Sequence, residues 1–316
     1  MADTAILAER LRKTYGDVVA VDDISLAVPR GSVLGMLGVN GAGKTTMVRM
    51  LTTVLQPDSG RGVVNGFDVA HQPQAVRRSI GLAGQFAAID ENLTGRENLV
   101  LVGRLNHQSK AAARQRASEL LAQFRLSDAA DRPARTYSGG MRRRLDLGAA
   151  LVSHPPVLFL DEPTTGLDPA SRNDLWEVIE GLVEDGTTVL LTTQYLEEAD
   201  RLADNIVVID GGLIVAEGTA KALKARLGDT VIEFEFHHPT EASQAGELLG
   251  VPTAAGTVVR LVMSNGPATL RTALNDLSAA GLTAAHVALR EPTLDDVFLT
   301  LTGSNATAPD TNGART

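Results

Sequence analysis

Residues 38–45 read Gly38-Val39-Asn40-Gly41-Ala42-Gly43-Lys44-Thr45. The apolar run Val33 to Leu37 precedes them, and an apolar-periodic stretch from Thr46 to Leu55 follows. The eight residues therefore join a predicted buried strand to a predicted helix, the context a GxxxxGK[ST] phosphate loop requires. Glycines let the backbone turn so tightly that successive N–H groups converge on an anion. The helix that follows adds the positive end of its dipole. In that geometry Lys44 reaches the β- and γ-phosphates of a nucleoside triphosphate, and the Thr45 hydroxyl ligates Mg²⁺.

The chain has 316 residues, more than one core usually fills, so a large domain with a smaller companion is expected. Apolar residues make up 44%, an ordinary share, and no run approaches the roughly 18 apolar residues of a membrane span. Met1-Ala2-Asp3-Thr4 carries acid early and has no basic n-region, so no secretory signal is expected. A net charge of −9 without a long Lys/Arg tract argues against nucleic acid as the main partner. With no cysteine there are no disulfides and no thiolate chemistry, which is compatible with a cytosolic address.

Residues 1 to about 225 read as alternating strands and helices around a mostly parallel α/β sheet. Val33–Leu37, Val157–Leu160, Thr188–Leu191 and Ile206–Ile209 are short apolar runs suited to strands covered on both faces. Leu175, Val178, Ile179 and Leu182 fall at helical spacing, and Gly186 then stops the helix. From about Phe86 to Ser153 the chain reads as a helical insertion, entered through the capping box Thr94-Gly95-Arg96-Glu97. Residues 226–303 form a small α+β domain. There Ile232, Phe234 and Phe236 alternate with Glu233 and Glu235, and Val259, Leu261 and Met263 repeat the pattern. Leu270, Ala273, Leu274 and Leu277 make one helix face; Leu294, Val297, Phe298 and Leu301 make another, with Thr293 as N-cap. Residues 304–316 offer nothing to bury and read as a disordered tail.

Two further stretches carry chemistry. Val157-Leu158-Phe159-Leu160-Asp161-Glu162 is an apolar strand ending in two carboxylates at the sheet edge that faces a nucleotide. Asp161 is placed to hold Mg²⁺ through water, and Glu162 to polarise an attacking water. Tyr137-Ser138-Gly139-Gly140-Met141 puts a serine N-cap and two glycines at a helix start, a second anion-binding surface. Two such surfaces in one domain make sense if they meet across a dimer.

As a set, these motifs resemble the ATP-binding subunits of ABC transporters over nearly all of residues 5–220. The resemblance implies a P-loop NTPase core of ABC type, with ATP and Mg²⁺ as ligands. It makes Gly38, Asn40, Gly41, Gly43, Lys44, Thr45 and Thr46 the Walker A loop, Asp161 the Walker B aspartate and Glu162 the catalytic glutamate. Gln85 is similar to the Q-loop glutamine that contacts Mg²⁺. Tyr15 looks like the aromatic that stacks on adenine, and Asp168 in Gly166-Leu167-Asp168-Pro169 matches the D-loop. Ser138, Gly139 and Gly140 match the signature motif that completes the partner's ATP site in a head-to-tail homodimer. By the same resemblance the chain docks, without a span of its own, on an integral membrane permease at the cytoplasmic face, with residues 86–105 carrying the contact.

Gln194 stands where the family has a histidine, and all six histidines lie elsewhere. Its amide can donate to a γ-phosphate but cannot titrate, so slow hydrolysis is expected. Met141, Tyr137 and Val39 also depart from the family's Gln, Leu and Pro. With Thr192-Thr193-Gln194-Tyr195-Leu196-Glu197-Glu198 and Arg290-Glu291-Pro292-Thr293-Leu294-Asp295-Asp296-Val297, they are similar to the daunorubicin/doxorubicin-resistance branch. An anthracycline-like drug or a lipid-like molecule is the expected cargo. A soluble ABC-type ATPase or an ATP-sensing module uncoupled from transport is the alternative.

Other features read more plainly. His237-His238 suits a solvated strand end, since neighbours on a strand point to opposite faces. Arg142, Arg143 and Arg144 are expected on an exposed polar face, Trp176 in packing, and Glu197, Glu198 and Asp200 at a helix start.

Overall fold

Two twelve-residue strands, β1 (Thr4–Tyr15) and β2 (Val18–Pro29), open the chain as an antiparallel hairpin. Gly16, at φ +57, begins its two-residue turn. In the computed structural model the described residues are 3–84, 89–226, 230–251, 253–263, 267–290 and 293–302. They fall into two units, residues 1–220 and 221–316.

In the first unit the hairpin is followed by β3 (Val33–Leu37), α1 (Lys44–Leu51), β4 (Ser59–Val64), β5 (Phe67–Asp68), α2 (Pro73–Arg78) and β6 (Ile80–Ala83). Next come the helices α3 (Gly95–Leu105), α4 (Lys110–Gln123) and α5 (Gly139–Ala150). The unit closes with β7 (Val157–Asp161), α6 (Pro169–Glu184), β8 (Thr188–Thr193), α7 (Leu196–Leu202), β9 (Asn205–Asp210) and β10 (Leu213–Gly218). The central sheet has the order β10-β9-β3-β8-β7-β6. Its pairs are parallel except at the β10 edge. Every residue of β3, β7 and β8 is buried, which is why these strands show no apolar–polar alternation.

The mostly parallel sheet is as expected; a second, antiparallel sheet of order β2-β1-β4-β5 accompanies it and was not foreseen. The alternation that would have marked it is broken. Arg10 and Asp23 lie at φ +49 and +55, and the β1–β2 register shifts between Ala8 and Leu11. The helical stretch begins as expected: Thr94 accepts the Glu97 amide, and the Glu97 carboxylate accepts the Thr94 amide. Phe86 and its neighbours 85–88 lie outside the described residues.

The second unit holds most of α8 (Ala220–Ala225), then β11 (Val231–Glu235), α9 (Pro239–Leu249), β12 (Thr253–Ala255), β13 (Val258–Val262), α10 (Pro267–Ala279), β14 (His286–Arg290) and α11 (Leu294–Thr302). Its antiparallel sheet has the order β12-β13-β11-β14. Ile232, Phe234, Phe236 and Val259 are buried in its core with Ala273 and Leu277. Leu274, expected on the same helix face, is exposed. The tail 304–316 lies outside the described residues.

Candidate nucleotide site

Parallel pairing fixes where the site must form. Leu37 of β3 is level with Thr193 of β8, and Asp161 of β7 is level with Thr192. Three loops therefore leave neighbouring strand ends together, carrying Gly38 onward, Glu162 onward and Gln194. A cleft of about 470 Å³ opens there, lined by Ala20, Asn40, Gly41, Gly43, Lys44, Thr45, Thr46, Glu162, Thr165 and Gln194.

The loop after β3 wraps round the lysine. Lys44 Nζ donates to the Gly38 carbonyl at 2.8 Å and the Val39 carbonyl at 3.1 Å. Gly43 turns the chain into α1 at φ +110, where a Cβ would stand 2.3 Å from the Ala20 carbonyl oxygen. No other residue type fits there. Lys44 is 4% exposed and lies 3.5 Å from Glu162 Oε1. Burial pushes the Lys44 pKa below the usual 10.5, and Glu162 only partly restores it. A desolvated ammonium in a polar cleft is a ready anion receptor.

Beside it, the Asp161 carboxylate accepts hydrogen bonds from Thr45 Oγ1 at 3.2 Å and Thr192 Oγ1 at 2.5 Å. This brings a hydroxyl and a carboxylate oxygen together, the hard-oxygen donor set that suits Mg²⁺. Glu162, next along, lies at φ +51 ahead of Pro163. A non-glycine residue held there stores about 1–3 kcal/mol of strain, typical of functional positions. Its amide is fixed by the carbonyl and hydroxyl of Thr192, each at 3.1 Å. Thr165 Oγ1 donates to Glu162 Oε2 at 3.3 Å.

Other expected site residues lie off this cleft's lining. Ser138 caps α5, its hydroxyl accepting the Met141 amide at 3.2 Å, and Ser138 and Gly139 are exposed. Asp168 caps α6 by accepting the Ser171 amide at 2.9 Å and hydroxyl at 2.7 Å, bonds that lower its pKa. Tyr15 ends β1, 46% exposed. Gln85 lies outside the described residues.

The expectation of an exposed arginine face is corrected: Arg142 is 45% exposed and pairs with Glu91, whereas the Arg143 and Arg144 side chains are only 16% exposed. Arg143 points inward, on the helix face of Gly140, Asp146 and Leu147, all three buried. That i, i+3, i+4 pattern was the signal available in the sequence. Glu198 begins α7 as expected but is fully buried, accepting the Trp176 indole N–H at 3.0 Å. Trp176 is packed, and His237 and His238 are exposed. Thr192, which holds both Asp161 and Glu162, went unrecognised because a threonine in a strand reads as an ordinary β-former.

A phosphate loop, an acid-tipped strand one removed from it in the sheet and a Ser-Gly-Gly helix start define an ATP-binding cassette. A solved structure described as the ATP-binding subunit of an ABC transporter superposes with a TM-score of 0.65 at 29% identity, covering 71% of this chain and 94% of that one. Residues 21–165 match the family described as ABC transporter. A daunorubicin resistance ATP-binding protein of Streptomyces coeruleorubidus is 53% identical, over 96% of this chain and 98% of its own. A daunorubicin/doxorubicin resistance ATP-binding protein of Streptomyces peucetius is 49% identical, over 96% and 93%. The chain belongs to the ATP-binding proteins of ABC transporters, in the daunorubicin/doxorubicin-resistance branch.

Proposed function

We propose that this chain binds and hydrolyses ATP to power export of an anthracycline-like drug, or a lipid-like molecule, through a separate membrane permease. The observation that carries the reading is the cleft in which Lys44, Thr45, Glu162 and Gln194 converge beside Asp161. Lys44 and the Gly38–Thr46 backbone bind the triphosphate, with Asn40, Gly41 and Gly43 lining its path. Tyr15 stacks on the base. Glu162 orients and polarises the attacking water, and the Gln194 amide donates to the γ-phosphate. Thr45, Gln85 and, through water, Asp161 hold Mg²⁺, which when bound neutralises phosphate charge.

Ser138, Gly139, Gly140 and Asp168 act across a homodimer on the partner's nucleotide; the exposure of Ser138, Gly139 and Asp168 off the chain's own cleft supports this. No helix among the described residues is long and apolar enough to cross a membrane. That fits a subunit held peripherally at the cytoplasmic face by its permease. The ATPase cassette spans residues 1–225, with its helical part at about 86–153, and an accessory domain spans 226–303.

Phosphate release by the full chain, with and without co-purified membrane protein, tests the reading. Slow release is expected, lost by about 100-fold in Glu162→Gln while ATP stays bound. Turnover by Glu162→Gln at the parent rate would remove Glu162 from its role. Capture of ribosomes instead of a polytopic membrane protein by ATP-bound Glu162→Gln would point to a soluble ATPase.

A further inference from the structure

Arg143 does not line the nucleotide cleft, and all three nitrogens of its guanidinium are engaged in hydrogen bonds. Nε donates to the Pro163 carbonyl at 2.7 Å, and Nη1 donates to the Gly84 carbonyl at 2.6 Å and to Asp146 Oδ2 at 3.4 Å. Nη2 reaches the carbonyls of Glu162 at 3.1 Å and Asp161 at 3.2 Å. A guanidinium has five N–H donors in a rigid fork, and five acceptors are present. Three of them are consecutive carbonyls, those of Asp161, Glu162 and Pro163. A lysine, with three donors and no fork, cannot reproduce the arrangement.

Glu162 is the left-handed residue in that run. Thr192 of β8 holds its amide, and Arg143 of α5 holds its carbonyl. With both peptide groups fixed from different elements, the unfavourable φ is over-determined and the carboxylate keeps one direction. We propose that Arg143 is a positioning residue. It holds the backbone of Glu162 so that the carboxylate faces the cleft, and it ties that backbone to the helix that Ser138 and Gly139 begin. Arg143 is outside the lining of the nucleotide cleft. It acts through Glu162, so the proposal rests on the catalytic reading of Glu162 above.

The test compares full-length parent, Arg143→Lys, Arg143→Ala and Glu162→Gln by ATP binding titration with Mg²⁺ and by steady-state phosphate release. A misdirected reactive group costs up to about 100-fold. The expected result is kcat down by about 100-fold in Arg143→Ala and about tenfold in Arg143→Lys, with the ATP Kd within about twofold of the parent in both. A purely structural arginine would instead lower binding and turnover together. If Arg143→Ala does not fold, Arg143→Lys decides alone.

An unchanged kcat in Arg143→Lys, or a Kd that rises as kcat falls, overturns the proposal. Normal turnover in Glu162→Gln would overturn the reading on which it rests. Loss in Glu162→Gln with no loss in Arg143→Lys would overturn the positioning role alone.

Discussion

Each unit of this protein contains a cluster of charged side chains, buried in the first and part-buried in the second, and the two are built on opposite logics. In the first, Lys44 faces Glu162 at 3.5 Å, bonds to its own loop and lines an open cleft. In the second, Arg260 and Arg290 both donate to Glu233 Oε2, at 3.0 and 3.1 Å. Arg290 also forms a bidentate pair with Asp296, at 2.7 and 3.0 Å. Asp296 further accepts the amide and hydroxyl of Thr293, at 2.8 and 2.9 Å, and so fixes the start of α11. The second cluster commits its donors and acceptors to one another. The first leaves its lysine desolvated beside a space for an anion. Burial of charge therefore does not mark function; burial at the wall of an open cleft does.

Removing the lysine gives the sharpest contrast. Lys44→Met is expected to weaken ATP binding by about 100-fold, equivalent to about 3 kcal/mol. It should leave stability within about 1 kcal/mol of the parent, because the ammonium is held at a desolvation cost. The pH dependence has a definite sign. The folded-state pKa lies below 10.5, so the burden of the buried charge is present at low pH and is relieved as pH rises through the folded value. ATP affinity should therefore fall at a lower pH than an exposed lysine would dictate. Isothermal titration across alkaline pH checks this. An affinity flat up to 10.5, or a Lys44→Met chain with parental affinity, would erase the distinction between the clusters.

Asp296→Asn tests the other side, with a smaller effect. It should destabilise the second unit by about 2 kcal/mol, since charge-assisted bonds to Arg290 and Thr293 are lost, and leave the ATP Kd unchanged. Burial, the largest single influence on Asp296, raises its pKa, but the Arg290 and Thr293 bonds together outweigh it and bring the value below 3.8. Glu233 behaves alike: burial raises it, and the two arginines bring it below 4.5. A carboxylate with a depressed folded pKa contributes stability above its unfolded value and loses it as pH falls through the folded one. The parent should therefore lose stability in acid below about pH 4.5, and Asp296→Asn should lose less. Circular dichroism melts over that range measure both; a parallel acid profile for the two chains would count against the network.

How much of this contrast the sequence could reveal depends on what each part is made of. β3, β7, β8 and β9 were legible because strands covered on both faces must be apolar throughout. The antiparallel β1–β2 ladder was not, because left-handed residues at Arg10 and Asp23 shift the phase of its buried positions. In the cleft, Gly43, Lys44, Thr45 and Asp161 are legible because the chemistry demands those side chains at that spacing. The acceptors of Arg143 are not, because they are backbone carbonyls, which any residue supplies. In the second unit the Ile232–Phe236 alternation was readable. The Glu233–Arg260–Arg290–Asp296 network was not, since sequence separations of 27 and 57 residues close only in the folded sheet.

A neutral buried pair in the first unit calibrates the charged ones. Tyr137, immediately before the Ser138 cap, is 3% exposed, and its hydroxyl donates to the Ala129 carbonyl at 2.7 Å. The phenol fits because residue 95 is glycine: a Cβ there would stand 2.2 Å from the hydroxyl oxygen and 3.2 Å from the ring carbon bearing it. Tyr137→Phe should cost about 1 kcal/mol, the worth of one neutral hydrogen bond. Gly95→Ala should cost more in the parent than in Tyr137→Phe, where the hydroxyl it would strike is gone, giving a coupling of about 1 kcal/mol in a double-mutant cycle. Chemical denaturation of the four chains measures it. Additive costs would mean that Gly95 is set by something other than Tyr137. A Tyr137→Phe cost as large as that of Asp296→Asn would mean that net charge is not what makes the second cluster strong.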